Sequence, residues 1–257
     1  ARRGRLDVVS KAVERMAQEV LVKQERNAWA VILKALSEGK GTASSNGAHI
    51  VNNVGSTETF QLDTLNAMIT RMKRINKSFA GGTAAQVYSE GITDLFVSPE
   101  VKQDIRAFSY SPIGNNANQS LPDGPKTDAY RAAGIANIFG INIIDLQELG
   151  VGQKYNTLYE TFSDSAGLAG AVNEAGATTT SAFNDGSSHE LVLGVDASRE
   201  ALIRPVARNS ESGATFSALP DDQFTQRADK TGFYGSVEEG RVCIDARVLV
   251  GGHLKRS

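Results

Sequence analysis

Only a few places in this chain carry residue types that could do chemistry. Asp185, Ser187, Ser188, His189 and Glu190 stand together in one short segment. Hydroxyl, imidazole and carboxylate are the components of nucleophilic and general-base catalysis, and an imidazole among carboxylates can also hold a metal. Such groups normally come from separated elements that a fold brings together, so neighbours in one segment read first as a polar loop entering a strand. Other catalytic arrangements are missing from the sequence. It contains no G-x-S-x-G elbow, G-x-G-x-x-G turn, H-E-x-x-H helix or C-x-x-C pair, and Gly39-Lys40-Gly41-Thr42 lacks the glycine spacing of a phosphate loop. No cofactor or metal and no enzymatic activity is expected. His49 and His253 have no partner at ligand spacing and are expected at the surface. Cys243 is expected as a small apolar filler within a strand.

Composition narrows the class. A chain of 257 residues with 40% hydrophobic content can bury a substantial core. With 27 basic and 29 acidic residues the net charge is −2, which argues against a dedicated nucleic-acid binder, since neutralising phosphates needs a clear basic excess. One cysteine excludes an internal disulfide and a cysteine zinc cluster. No apolar run approaches the ~20 residues of a membrane span, so no membrane partner is expected. The first residue is Ala1, which suggests a processed start or a piece of something longer.

The elements that must position these residues begin with a long helix. Arg5 to Glu38 contains no Gly or Pro, and Leu6, Val9, Val13, Met16 and Val20, then Ala28, Val31, Ile32, Ala35 and Leu36, recur at spacings of three and four. Residues 39–60 read as a polar connection with a weak strand near His49 to Val54. Leu62 to Phe79 reads as a second amphipathic helix that Gly81-Gly82 stops. Ile92 to Val97 is a short strand running into a helix from Glu100 to Phe108, with Ser98 as N-cap and Pro99 in its first position. Tyr110 to Lys126 reads as a loop, Ala136 to Leu146 as one buried strand, and Tyr155 to Phe162 as helix turn or strand. Short strands follow at Glu190 to Val195 and Ala201 to Val206, then a polar loop from Asn209 to Pro220. A hairpin is expected across Glu238-Glu239-Gly240, pairing Gly232 to Val237 with Arg241 to Val250, with Val242, Ile244, Ala246, Val248 and Val250 on one face.

Seven residues are candidates for subunit contact or packing. Trp29 lies beside the long helix's stripe, as a core or packing anchor. Arg2, Arg3 and Arg5 precede or open that helix, and Arg71, Arg74 and Lys77, with Lys73, form the basic side of the second one, which reads as a solvated face.

The order of pieces resembles a known family. A long helix with the polar break Gln24-Glu25-Arg26-Asn27 before Ala28-Trp29, a Gly/Ser-rich connection, Leu62-Asp63-Thr64-Leu65, then Asp94-Leu95-Phe96-Val97-Ser98-Pro99-Glu100-Val101 before Asp104-Ile105-Arg106, is similar to tailed-bacteriophage major capsid proteins. Ile138-Phe139-Gly140-Ile141-Asn142-Ile143-Ile144, Leu191 to Val206, and Gly232-Phe233-Tyr234-Gly235 to Val250 resemble that family's later strands.

The resemblance implies an α+β chain with the Hong Kong 97 fold. Residues 1–90 would give a peripheral domain (spine helix 5–38, connecting loop 39–60, second helix 62–79), residues 91–206 mostly an axial domain with a small central sheet, and 207–257 the peripheral domain's return strands. The family's N-terminal arm and extended loop would lie upstream of Ala1, or else the first helix is not the spine. The implied function is a head protein forming hexamers and pentamers of an icosahedral shell around double-stranded DNA, touched weakly and without sequence preference. Portal, scaffold and decoration or neck proteins are implied partners, with assembly in the host cytoplasm and residence in the virion. Two alternatives stand beside it: an encapsulin-like compartment shell, and a small-molecule enzyme using the Asp185 to Glu190 cluster.

Overall fold

The computed structural model describes residues 2–38, 49–52, 59–79, 91–107, 137–166, 171–173, 178–179, 189–207, 217–221 and 232–256. The expectations for Tyr110 to Lys126 and Gly81-Gly82 lie outside those residues. Helices and a mixed sheet make the chain α+β. It divides into two compact units, Ala1–Val31 with Leu202–Cys243, and Ile32–Ala201 with Ile244–Ser257.

Helix α1 spans Arg2–Glu38 without interruption, as the lack of Gly and Pro requires. In its middle, Val13, Met16 and Val20 are half-buried while Leu21 and Val22 are 63% and 58% exposed. Trp29 is buried. The same unit holds two small antiparallel ribbons. Strand β9 (Ser217–Asp221) pairs with β10 (Gly232–Ser236), and β8 (Leu202–Ile203) with β11 (Val242–Cys243). Glu239 is gripped by two arginines there, at 2.7 Å from Arg204 and 3.1 Å from Arg241.

The expected hairpin across Glu238-Glu239-Gly240 is therefore not formed: Gly232–Ser236 takes its partner from the segment expected as a polar loop. The second half of that hairpin is also not one strand. After Cys243 a single 3-10 turn at Ala246–Val248 breaks it, because Asp245 caps the turn by accepting the Arg247 N–H at 3.0 Å. Val242 and Ile244 are consequently exposed while Val248 and Val250 are buried, which breaks the single apolar face predicted for 242–250.

The other unit is built on an eight-stranded sheet in the order β3-β4-β2-β7-β12-β1-β5-β6. Its strands are β1 (Ile50–Asn52), β2 (Asp94–Val97), β3 (Asn137–Ile138), β4 (Ile141–Asp145), β5 (Ala171–Asn173), β6 (Thr178–Thr179), β7 (His189–Val195) and β12 (Leu249–Lys255). The last strand lies in the middle, antiparallel to β7 and parallel to β1. Helices α2 (Leu62–Phe79) and α3 (Pro99–Ala107) cover one face, where Leu65, Met68, Met72, Val101 and Ile105 meet Leu95, Ile143, Val192 and Val250. The last turns of α1 cover the other face through Leu36. Helix α4 (Lys154–Ala166) is the outcome for the ambiguous stretch 155–162; Tyr155 and Tyr159 are buried on it, and Asn156 Nδ2 donates to the His189 carbonyl at the end of β7.

Two glycines in β12 allow this two-sided cover. A Cβ on Gly251 would sit 2.5 Å from Ile50 Cδ1 and 3.2 Å from Leu36 Cδ2, and one on Gly252 would sit 2.6 Å from Met68 Sδ. Neighbouring residues in a strand point to opposite faces, so the pair clears space for α1 on one side and α2 on the other.

The single strand expected at Ala136 to Leu146 is a tight hairpin. Phe139 and Gly140 both have positive φ, +54° and +80°, as a two-residue type I′ turn requires, and Asn137 Oδ1 accepts the Gly140 N–H at 3.0 Å. Gly140 has open space around it, so Gly140→Ala is expected to cost only the backbone strain, ~1 kcal/mol, read as a small drop in urea midpoint without change in slope.

Candidate functional site

A group of linked polar side chains is buried at one end of the central strands. Ser98, between β2 and α3, is fully buried, and its Oγ accepts the Val101 N–H at 3.1 Å, so the predicted N-cap of α3 is formed. The same hydroxyl donates to Oε1 of Glu190, whose side chain has no solvent exposure. Arg256, just past β12, donates from Nε to Glu190 Oε2 and from Nη2 to Asp104 Oδ2 at 2.7 Å. Asp104 also accepts the Phe60 N–H at 2.9 Å, ahead of α2. One guanidinium thus ties together β7, α3, the lead-in to α2 and the end of β12.

Burial pushes the Glu190 carboxyl up to about 7; Arg256 opposes this shift, while Glu100 and Asp104 add to it. On the other face of the same strand end, the His189 and His253 rings stack with centroids 4.6 Å apart. Burial, then the neighbouring His189, drives His253 down to about 3. His49 is buried too: its Nδ1 lies 2.9 Å from the Leu249 carbonyl, a contact that requires Nδ1–H as donor. Burial lowers its pKa, partly offset by that hydrogen bond. The expectation of surface histidines at 49 and 253 is corrected on both counts. Each sits next to or on β12, and a strand at the middle of a sheet buries whatever flanks it.

Of the segment Asp185 to Glu190, only His189 and Glu190 fall among the described residues. They point to opposite faces of β7 and are not brought to one reacting centre. Glu190 has a fixed arginine and a capping hydroxyl, which is the environment of a structural carboxylate. Among the described residues no group of three or more His, Cys, Asp or Glu could hold a metal ion. No helix of the described residues is long and apolar enough to cross a membrane.

The contact candidates divide as follows. Arg71 is buried, at 3% exposure, which corrects the solvated-face reading for that position; burial and then the charge on Arg74 lower its pKa. Lys73 and Arg74 are exposed. Arg2, Arg3, Arg5 and Lys77 lie in helices, but their side chains are outside the described residues. Cys243 is half-buried and forms no disulfide.

Sequence reading missed one kind of feature: large apolar side chains left in water. Phe139 is 53% exposed at the hairpin tip, and Ile144 is 38% exposed on β4. In the other unit Leu202, Ile203 and Val242 are each about two-fifths exposed on the β8–β11 ribbon. Phe139 is also strained, because a bulky side chain seldom adopts positive φ. Its signal in the sequence is the dipeptide Phe139-Gly140 inside an apolar run.

A search of the solved structures gives a chain from Mycobacterium phage Che8 at 13% identity and a TM-score of 0.34; the match covers 94% of this chain and spans 62% of that one. No curated protein matches the chain. The description of the phage capsid protein family matches residues 1–157, more than half of the sequence, with α1, α2, the strand β2 running into α3, and the Phe139 hairpin inside the matched region. This chain belongs to the phage capsid protein family.

Proposed function

We propose that the chain is the major head protein of a tailed phage, a structural subunit without enzymatic activity whose copies close into an icosahedral shell around double-stranded DNA. Family membership supports the capsid role, and the observation that carries the assembly reading is Phe139. An exposed aromatic ring on a positive-φ turn costs the lone subunit both hydration and backbone strain, and such costs are found where a contact offsets them. The half-exposed stripe of α1 and the β8–β11 ribbon offer further apolar surface. On this reading the long helix with residues 202–243 serves as the peripheral piece of a Hong Kong 97-like subunit and the eight-stranded unit as the axial piece. Near-neutral charge lets like subunits pack, and the basic residues of α2, Arg74 and Lys77, are candidates for weak contact with packaged DNA. Hexamers and pentamers, a portal, a scaffold and residence in the virion belong to the same proposal.

The test is assembly. Sedimentation and negative-stain imaging of the expressed protein should give capsomers or closed particles, and particles made during infection should protect DNA from nuclease. A monomer stable at every concentration would overturn the reading. Phe139→Asn is expected to stabilise the separated subunit by about 1 kcal/mol, since asparagine tolerates this φ, and to reduce particle yield in the same preparation.

A further inference from the structure

The dipeptide His189-Glu190 places two buried ionisable contacts on opposite faces of one strand end, and both hold the same length of chain. On one face His189 stacks on His253, which is 5% exposed, and Lys255 stands opposite His189 in the strand register. On the other, Glu190 and Asp104 share Arg256, with Glu100 in the first turn of α3 adding a third carboxylate.

We propose that the end of β12 is held by a charge-compensated clasp, in which the buried His253 imidazole on one face and the carboxylate–arginine group on the other answer protons in opposite directions, so that residues 253–256 stay closed across the mildly acid range. This goes beyond the capsid reading and does not depend on it.

The groups around each half set the directions. The imidazole pair is flanked by Lys255 from β12 itself. Asn52 of β1 is paired in register with His253 and is uncharged. From α4 come Asn156, holding the His189 carbonyl, and Glu160 one turn further on, half-buried. At the end of α1, Lys34 and Glu38 pair with each other in solvent at 3.8 Å. A proton on His253 would therefore be buried against the His189 ring, away from water, and opening relieves it. The folded imidazole titrates far below its ordinary value, so closure is complete above the open-state pKa and is lost as pH falls through the range beneath it. The Glu190 carboxyl titrates above its ordinary value, so its contribution is complete in acid and is lost as pH rises towards neutrality. Between the open-state values of the two groups, roughly pH 4.5 to 6.5, the slopes cancel.

Amide exchange measured by mass spectrometry on the intact chain tests this, corrected for the intrinsic pH dependence of exchange and referred to β2. Wild-type protection of residues 249–256 should change less than threefold between pH 7 and pH 5. Glu190→Gln should unmask acid opening, with protection falling about 30-fold over that interval. His253→Phe, which keeps a stacked ring, should reverse the sign, with protection rising as pH falls. Equal profiles in all three proteins would overturn the proposal. So would loss of protection in β2 together with β12, which would be global unfolding. NMR titration of the wild type gives a check that needs no variant: a Glu190 midpoint in the ordinary carboxylate range, or a His253 midpoint near 6.5, overturns it as well.

Discussion

Replacing Arg256 by alanine is expected to destabilise the chain by about 3 kcal/mol at pH 8 and by distinctly less at pH 5. The residue holds two carboxylates at once, and one of them, Glu190, has no solvent exposure. Removing a single partner from such a group leaves uncompensated buried charge, which costs more than the pair itself contributes. In acid Glu190 escapes by taking a proton, because its carboxyl already titrates at about 7. The sign follows from that value. The folded pKa lies above the unfolded one, so the favourable neutral form is present in acid and is lost as pH rises through neutrality. Glu190→Gln should accordingly raise the melting temperature at pH 8 and leave it nearly unchanged at pH 5. The double variant Arg256→Ala with Glu190→Gln should recover part of the loss. At ~2–4 °C per kcal/mol for a chain of this size, melting curves at the two pH values resolve all of these differences. An Arg256→Ala protein that melts like wild type at pH 8 would show that the clasp carries no net stability.

The second large effect lies in the middle of the sheet. Gly251→Val and Gly252→Val are each expected to cost about 3 kcal/mol, for different steric reasons. At Gly252 the new Cβ meets the Met68 sulfur, a flexible obstacle, so pairing Gly252→Ala with Met68→Ala should restore stability beyond the sum of the two single changes. At Gly251 the obstacle is Ile50 Cδ1, on the adjacent strand, with Leu36 of α1 just behind it. There, shortening Ile50 should recover less, because Leu36 Cδ2 still crowds the new Cβ at 3.2 Å. Urea unfolding of the four proteins of each cycle gives its coupling energy directly.

What the sequence made legible was local. Helix α1 could be read from an unbroken periodic stretch, α2 to its terminal residues, and the cap of α3 from Ser98-Pro99. The Phe139 turn was misread because an apolar run of that length looks the same whether it continues or folds back, and phenylalanine is a poor signal for positive φ. Pairing was the larger failure. Gly232–Ser236 and Val242–Cys243 are close in sequence, and the hairpin rule favours neighbours. Asp245 diverted the chain, and both strands found partners across longer loops. The Glu190 clasp was half visible: the acid stood out with His189, but its partners Ser98, Asp104 and Arg256 are 92, 86 and 66 residues away in the sequence. Nothing in composition or spacing joins them.

The central position of β12 has a kinetic consequence. The strand bridges β7 and β1, and its contact between His49 and Leu249 closes a loop of 200 residues. Contacts of that separation are slow to form, since the chain's entropy must be given up before they stabilise anything. During synthesis the two halves of the large sheet, β2 with β7 and β1 with β5, have no strand between them until residues 249–255 leave the ribosome. Helix α2, whose Met68 packs on Gly252, would wait with that part of its apolar face uncovered. The chain can therefore complete this sheet only after translation has passed Lys255, and until then it exposes apolar surface that the finished fold covers.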